Sequence, residues 1–578
     1  MKLRIWRNNQ LAAWQPNVWD VVVLLLVFMI FVVLAHGASQ MATPYRLGDQ
    51  LPISLSVKYL PAYALRTTLR MFIALFASLL FTFLVGSLAA KNKHAERIII
   101  PIIDIAQSIP VLGYLSITVV VFIALFPNSL LGPECAAILA IFTGQAWNMF
   151  LGFYQCLKNV PSDLREASAM FQLSPWQKFW RVEVPFAMPS LIWNTMMSMS
   201  ASWFFITASE AIAVNNQNIL LPGIGSYIGV AIAHMNKSAI FYAIVTMLIV
   251  ILLYDQLLFR PIIVWSEKFK AEEDEGKQKP GSLVISLLQH TRLLYYFGQV
   301  FAVFADGIVN FRAGKHLEKI KFVRPKKSTI ISAIIYIWYF IVFVSCLLIT
   351  VFLIRYIFKA LSIHETLHVV KLGVYTTIRI AILLILCMLV WVPIGVWIGL
   401  RPRAAQIAQP IAQFFAAFPA NLLFPIVTVI ILKYKLNVNI WTSPLIILGS
   451  QWYILFNVIA GTTALPKELV QVATNFGLKK WLWWKRFILP GIFPYLITGA
   501  ITAAGGAWNA TIIAEMVHWG HTTLKAEGLG AYIAEVTATG DFPRVALGIA
   551  MMCVFVLVFN HIVWRPLYKL AEERFTIT

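Results

Sequence analysis

Four charged side chains stand in stretches that are otherwise apolar: Arg70, Glu210, Arg379 and Glu515. A guanidinium or a carboxylate inside a bilayer costs about 2.5–3.5 kcal/mol or more, so each of the four needs a partner, a cavity or a nearby interface. Each arginine lies about one turn into an apolar stretch, and each glutamate lies near the end of a later one. The spacing predicts two ion pairs, Arg70–Glu210 and Arg379–Glu515, near the outer gate of a pathway. The alternative is that each side chain extends separately to the interface.

Polar and aromatic residues accompany the glutamates on the same apolar stretches. They are candidates to line a path, although aromatic side chains on a membrane helix more often pack against neighbours: Trp203, Thr207, Trp508, Asn509 and Thr511. The sequence carries no HExxH motif, no nucleophile elbow and no cluster of histidines and cysteines at metal-ligand spacing. We therefore predict no catalytic residue and no metal site.

The composition is that of a membrane protein. Of the 578 residues, 60% are apolar and 12% are charged, which is too little charge to cover the surface of a soluble protein of this size. The apolar residues form blocks of about 20, the length that an α-helix needs to cross the bilayer core. We predict an all-α protein with about twelve transmembrane helices, near 18–36, 64–90, 100–126, 134–157, 184–212, 239–260, 329–354, 373–400, 410–432, 441–461, 490–515 and 544–565.

The two halves of the chain are copies of each other. Residues of the first half recur 309 positions later up to Pro110, and 305 positions later from Pro161 onward. Thus Arg70 matches Arg379, and Glu210 matches Glu515. Two related halves of a membrane protein usually build one pathway at their interface. The predicted domains are a first repeat over 1–265, a linker over 266–328 and a second repeat over 329–578.

The basic residues predict how the chain is oriented. The net charge of +21 does not require a nucleic-acid partner, because lysine and arginine accumulate on the cytoplasmic side of membrane proteins. The segments 1–17, 91–99 and 158–183 hold ten basic residues, and the opposing segments of the first repeat hold three. Both termini are therefore predicted to be cytoplasmic, and the two six-helix repeats to be parallel. The linker carries twelve basic residues and predicts an amphipathic segment on the cytoplasmic membrane surface.

A loop after the fourth helix of each repeat, 161–184 and 466–489, has the pattern of two short helices joined by a turn. Pro161 and Pro466 suit a helix start, Gly477 suits a left-handed helix end, and Ser174 with Gln177 forms a capping-box pattern. Both loops carry aromatic residues, which predict either a docking surface for a partner or packing beneath the membrane helices: Phe171, Trp176, Phe476 and Trp481.

These loops resemble the coupling loop of ABC-importer permeases, whose pattern is Glu-Ala-Ala, three residues, Gly, nine residues, Ile-x-Leu-Pro. The first copy keeps Glu166 and Ala167 but has Gln172 in place of the glycine. The second copy has Gln471 in place of the glutamate and keeps Gly477. The resemblance implies that Glu166, Ala167, Gln471 and Gly477 contact a separate ATPase subunit.

Further segments are similar to permeases of the nitrate, sulfonate, taurine and bicarbonate group. They run from Trp203 to Glu210 and from Leu221 to Tyr227, and from Trp508 to Glu515 and from Glu527 to Tyr532 in the second copy. The resemblance implies the type I importer permease fold in a bacterial inner membrane, and uptake of a small anion. It also implies two ATP-binding cassette subunits, which would carry ATP and Mg²⁺, and a periplasmic or lipid-anchored solute-binding protein. The chain has no GxxxxGK[ST] motif, so no cofactor and no ATP hydrolysis are expected in it.

Two other classes of membrane protein are alternatives to an importer permease. A twelve-helix secondary transporter would also have parallel six-helix repeats, but it gives no reason for a repeated docking loop after the fourth helix. A membrane-embedded enzyme would need histidines or acids clustered at one depth, and the sequence shows none. The secondary transporter remains the alternative.

Overall fold

A computed structural model describes residues 18–41, 43–45, 52–214, 217–266, 306–307, 310 and 329–574. Most of the linker, for which an amphipathic segment is predicted, lies outside the described residues. The rest is almost entirely helical, and the two repeats predicted from the duplication are present. The all-α prediction is confirmed.

The first repeat contains twelve helices and one hairpin among its described residues. They are α1 Val18–Met41, α2 Leu60–Phe81, α3 Ser87–Lys91, α4 Lys93–Ser108, α5 Val111–Leu125, α6 Leu131–Lys158, α7 Ser162–Met170, α8 Pro175–Lys178, α9 Val184–Ser209, β1 Ala211–Val214, β2 Gln217–Leu220, α10 Ile224–Ala233, α11 Lys237–Tyr254 and α12 Arg260–Ser266.

The second repeat follows a similar order, but three shorter helices over 438–463, bent by 45°, stand where α6 is a single helix. Its elements are α13 Thr329–Ala360, α14 Ile363–Gly399, α15 Pro402–Ala417, α16 Phe424–Tyr434, α17 Val438–Trp441, α18 Ser443–Leu448, α19 Gln451–Thr463, α20 Lys467–Asn475, α21 Lys480–Trp483, α22 Leu489–Ala514, β3 Met516–Trp519, β4 Thr522–Lys525, α23 Leu529–Thr539, α24 Phe542–Phe559 and α25 Arg565–Arg574.

Seven helices of the described chain are long and apolar enough to cross a membrane, and nine if each bent pair counts as one span. These nine fall on nine of the predicted spans. The other three predicted spans, 18–36, 100–126 and 184–212, fall on α1, on α4 with α5, and on α9.

The third predicted span of each repeat is not one straight helix, as 100–126 and 410–432 had suggested. The first breaks between α4 and α5 at Ile109 and Pro110, and the second bends by 78° after Ala417. The residue before each proline, Ile109 or Phe418, is extended, because the proline ring disfavours the helical region there. The breaks redirect each third segment toward the other repeat.

The third segments join the two repeats into one body. Val111, Leu112 and Leu115 of α5 are buried in the hydrophobic core of the second repeat. In return, Ala417 at the end of α15 and the following Leu422 are buried in the core of the first repeat. Each repeat therefore packs its third segment into the hydrophobic core of the other repeat.

Two kinds of local structure recur at the 305-residue offset. A π-helical segment at Phe179–Glu183 leads into α9, and one at Trp484–Ile488 leads into α22. A short antiparallel hairpin follows each glutamate: β1 pairs with β2, and β3 pairs with β4. The hairpins are not predicted by the sequence analysis, since four-residue strands leave no clear alternation.

Candidate functional site

The two docking loops have the same backbone geometry. In the first loop the amide of Leu173 donates to the carbonyl of Ser168 at 3.1 Å, and in the second Leu478 donates to Ala473 at 3.1 Å. These bonds close the ends of α7 and α20 around a residue in the left-handed region, Gln172 with φ +49° or Gly477 with φ +63°. Gln172 therefore adopts the glycine conformation without being glycine.

The loops differ in how their second helix begins. Ser174 accepts a hydrogen bond from the amide of Gln177 at 3.3 Å, and the Gln177 side chain accepts one from the amide of Ser174 at 3.0 Å. This confirms the predicted capping box. In the second loop Lys479 occupies the cap position and makes no side-chain cap bond. The first loop is thus fixed more firmly at its turn.

Large apolar side chains at the tips of both loops are open to solvent. Phe171 and Phe476 are each 78% exposed, and Trp481 is 71% exposed. Glu166, Gln471 and Gly477 are also exposed, and Ala167 is partly buried. An exposed apolar tip on each repeat is typical of a surface that another protein covers.

Trp176 differs from the other three aromatic residues of the loops. It is partly buried, and its ring meets the ring of Trp180 edge-on with centroids 5.8 Å apart. Packing, the alternative given above for these aromatics, describes Trp176. The described part of the linker also reaches this region: Asn310 accepts hydrogen bonds from Gln177 at 3.5 Å and from Arg181.

At the opposite end of α9, the structure brings Arg70 and Glu210 together. Arg70 Nη1 lies 2.6 Å from Glu210 Oε1, and both side chains are completely buried. The same carboxylate accepts hydrogen bonds from the hydroxyl of Thr67 and the backbone amide of Gly225, each at 2.7 Å. Every oxygen of Glu210 thus has a donor, which is how a buried carboxylate avoids an uncompensated desolvation cost.

The second repeat rebuilds this cluster. Arg379 Nη1 pairs with Glu515, whose carboxylate also accepts from the Thr376 hydroxyl at 2.9 Å. The amides of Gly530 and Ala531 donate to its other oxygen at 2.8 and 3.2 Å. In both repeats the carboxylate therefore lies at the N-terminus of the next helix, α10 or α23, where free amides favour a negative charge.

Glycines permit this close approach. A Cβ atom on Gly223 would lie 2.3 Å from Cδ of Glu210, and one on Gly528 would lie 2.2 Å from Oε2 of Glu515. A Cβ on Gly225 would lie 2.3 Å from the carbonyl oxygen of Thr207. In the repeated Gly-x-Gly at the start of α10 and α23, the first glycine thus makes room for the glutamate, and the second makes room for the backbone of α9 or α22.

Glu134, which the sequence analysis did not select, makes the two clusters unequal. Its carboxylate accepts two hydrogen bonds from the Nε–Nη2 edge of Arg70, with Nε–Oε2 at 2.5 Å and Nη2–Oε1 at 2.6 Å. The position 305 residues later is Asn439. An acid inside the predicted span 134–157 was the available signal, but it has no copy in the second repeat.

The remaining polar candidates lie at the interface between the repeats. Thr207 is hydrogen-bonded to Asn421 of the other repeat at 2.8 Å, and Asn509 accepts a bond from the amide of Val111 at 2.7 Å. Thr511 is buried and donates to the carbonyl of Trp508 at 2.7 Å. Thr207 and Asn509 thus connect the repeats at the point where the third segments cross, whereas Thr511 bonds within its own helix.

Trp203 and Trp508 are both buried in the core. The Trp203 ring packs edge-on against Tyr254, and Trp508 packs against Phe559. Trp203 also borders a cavity of about 310 Å³ between α9, α11 and α15, which Asp255, Arg260 and Gln413 line with polar groups. Trp203 therefore both packs and faces an open volume.

Comparison with known proteins agrees with the duplication. The model of the family described as "Binding-protein-dependent transport system inner membrane component" matches twice, over residues 82–259 and 391–565. These two matches lie one in each repeat and together cover more than half of the chain.

Individual relatives are distant. The chain is 25% identical over 185 residues to the nitrate import permease protein of Leptolyngbya laminosa, covering 32% of this chain and 63% of that protein. It is 29% identical over 133 residues to the bicarbonate transport system permease protein of Synechocystis, covering 23% of this chain and 46% of that protein. The match thus spans less than two thirds of each of these relatives.

Proposed function

Because this chain belongs to the family of inner membrane components of binding-protein-dependent transport systems, we propose that it forms the complete translocation pathway of an ATP-driven importer. Two separate ATP-binding cassette subunits bind the docking loops and hydrolyse ATP with Mg²⁺. A periplasmic or lipid-anchored binding protein delivers the solute to the opposite face. The chain lies in a bacterial cytoplasmic membrane with both termini in the cytoplasm.

The observation that carries the proposal is the pair of exposed apolar tips. Phe171 and Phe476 are equally exposed, at 78%, and follow helices that end in the same hydrogen-bonded turn. Water-exposed phenylalanines gain about 2 kcal/mol or more each when a partner covers them. Two equivalent tips fit two copies of one partner, as expected for a pair of ATPase subunits.

The helices that follow the loops supply the mechanical connection. The second helix of each loop continues through a π-helical segment into α9 or α22. Each of these helices has 26 residues and reaches about 39 Å, so a displacement at the loop is carried to the Arg–Glu cluster at the far end. Movement of the two loops toward each other then rocks the repeats between inward-open and outward-open states.

A small anion is the proposed solute. The relatives named above are permeases for nitrate and for bicarbonate, and both solutes are small oxyanions. We also propose that the nine pathway candidates, which surround the two clusters, line or close the path at its outer end. Of the two arginines, Arg70 is fully buried between two carboxylates, whereas Arg379 pairs with one and is partly exposed, so Arg379 is the one that an anion can reach.

The test is co-purification of the full chain with the ATPase encoded beside it. We expect two ATPase subunits per chain, and loss of one or both when Phe171, Phe476 and Trp481 are changed to alanine. Phe241→Ala is the matched control, because Phe241 is 61% exposed but lies near the start of α11, away from the loops. If the intact chain binds no ATPase, the alternative of an ion-driven secondary transporter replaces this proposal. If Phe241→Ala abolishes binding equally, the loop surfaces are not the docking sites.

A further inference from the structure

Comparison of the two repeats shows which kind of group the Nε–Nη2 edge of each cluster's arginine can bind. In the first repeat, Nε and Nη2 of Arg70 form two parallel hydrogen bonds to the two oxygens of Glu134, at 2.5 and 2.6 Å. This is the bidentate geometry by which guanidinium groups recognise planar oxyanions. Nη1 of Arg70 is meanwhile held by Glu210.

In the second repeat no carboxylate of the described residues pairs with the same edge. Nη1 of Arg379 is held by Glu515, and Nη2 donates to the carbonyl of Glu527 at 3.3 Å. Among the described residues Arg379 has an ion pair only with Glu515, and its side chain is 11% exposed where that of Arg70 is fully buried. The guanidinium of Arg379 is therefore held in place by Glu515 and by the carbonyl of Glu527, while its side chain remains partly exposed.

Asn439 occupies the region that Glu134 fills in the first repeat. The carbonyl of Pro222, which accepts from Arg70 Nη2 at 3.1 Å, corresponds to that of Glu527, 305 residues later. Asn439 is adjacent to this point, because its side-chain oxygen accepts from the amide of Glu527 at 2.7 Å. Asn439 is exposed and the Arg379 side chain is not fully buried, so this part of the second cluster lies close to the surface.

We propose that the Nε–Nη2 edge of Arg379, which pairs with no carboxylate among the described residues, binds an oxyanion with two coplanar oxygens, as nitrate, bicarbonate and carboxylates have, in the place that Glu134 occupies in the first repeat. The inference rests on the proposed function, since it names the class of substrate that the pathway takes up. It makes the transporter asymmetric: the first cluster is a closed structural anchor and the second is a binding site.

The balance of charge fits a site that must also release its ligand. In the first repeat Arg66 lies about one helical turn before Arg70 on α2, so two arginines balance two glutamates. The position that corresponds to Arg66 is Tyr375, so an anion bound at Arg379 would leave the second cluster with a net negative charge. Binding is then weaker than the internal Arg70–Glu134 pair, as transport requires.

The experiment compares Asn439→Glu with Asn439→Gln in the purified full chain. The two side chains have the same length, and only the glutamate carries a charge that can occupy the Arg379 edge as Glu134 does in the first repeat. Thermal unfolding is measured against nitrate and bicarbonate, with chloride at equal ionic strength as the spherical reference anion. A maltoside detergent, which carries no phosphate, keeps lipid headgroups out of the site.

We expect nitrate to raise the unfolding temperature of the wild-type chain and of Asn439→Gln with a saturable dependence. Asn439→Glu should need at least tenfold more nitrate for the same shift. Equal nitrate responses in Asn439→Glu and the wild type, or a chloride response equal to that of nitrate, would overturn the inference. Oxyanion uptake by the chain reconstituted with its ATPases and binding protein is measured separately. If the wild-type chain does not transport an oxyanion, the proposed function is contradicted. The nitrate-dependent shift of the unfolding temperature in detergent tests the Arg379 site independently of transport.

Discussion

Asn509 accepts a hydrogen bond from the backbone amide of Val111, and this 2.7 Å contact joins α22 of the second repeat to the first turn of α5 in the first repeat. Val111 is the residue directly after the break at Pro110, and its amide lies in the first helical turn, where no helical carbonyl can accept it. The Asn509 side chain thus fixes the crossing segment of one repeat on the central helix of the other.

We predict that Asn509→Ala destabilises the chain more than Asn421→Ala does. Without Asn509 the buried amide of Val111 loses its partner, at a cost of about 1–3 kcal/mol. Asn421 bonds the hydroxyl of Thr207, which keeps a second bond to the carbonyl of Trp203 at 2.9 Å. Thermal unfolding in detergent measures the difference, and a larger loss for Asn421→Ala would contradict this account of the crossing.

A second prediction concerns two glycines on the same short helix, α10. Gly225→Ala should strongly reduce folding and transport, because its Cβ would lie 2.3 Å from a backbone carbonyl that cannot move aside without shifting α9. Gly229→Ala should be tolerated or add up to about 1 kcal/mol of stability, since its Cβ would meet only the Cβ of Ala211 at 3.4 Å and alanine favours a helix. Expression yield and unfolding temperature of the two variants are the measurements. Similar behaviour of both would show that the close approach of α10 to the Thr207 carbonyl is not required.

The positions of these clusters show what the sequence could and could not predict. Arg70, Glu210 and their copies were found because charged residues in apolar stretches are costly and because the duplication repeats them. Glu134 was missed for the converse reason: its counterpart is Asn439, so comparison of the two copies did not select it. The contact of Asn509 with Val111 joins residues 398 positions apart, and no local pattern records such a pairing.

The docking loops show the same limits at shorter range. The capping box of Ser174 and Gln177 was predictable because its signature lies within four residues. The partial burial of Trp176 was not, because its ring packs on Trp180 within the π-helical segment Phe179–Glu183, and that departure from α-helical geometry has no clear signature in the sequence. Residue type alone could not distinguish Trp176 from Trp481.

This difference gives a third prediction. Trp481→Ala should leave the free energy of unfolding of the isolated chain unchanged within about 0.5 kcal/mol, because the side chain is exposed, but should weaken ATPase binding. Trp176→Ala removes a packed ring and should lower the stability of the isolated chain. Unfolding of the chain alone and pull-down of the ATPase separate the two effects. If Trp481→Ala bound ATPase as the wild type does, that side chain would not be part of the docking surface.

The last prediction exchanges the residues in the left-handed position of the two loops. Gln172 has φ +49° and Gly477 has φ +63°, and a side chain in this region costs about 1–2 kcal/mol that glycine avoids. Gly477→Gln should therefore loosen the second loop, and Gln172→Gly should tighten the first by less, because glycine also gains entropy in the unfolded loop. Hydrogen exchange at the amides of Leu173 and Leu478, which close the two turns, measures the effect directly. We expect about fivefold faster exchange at Leu478 in Gly477→Gln and slower exchange at Leu173 in Gln172→Gly. Faster exchange at Leu173 would mean that the glutamine side chain stabilises its turn through contacts that outweigh the backbone strain.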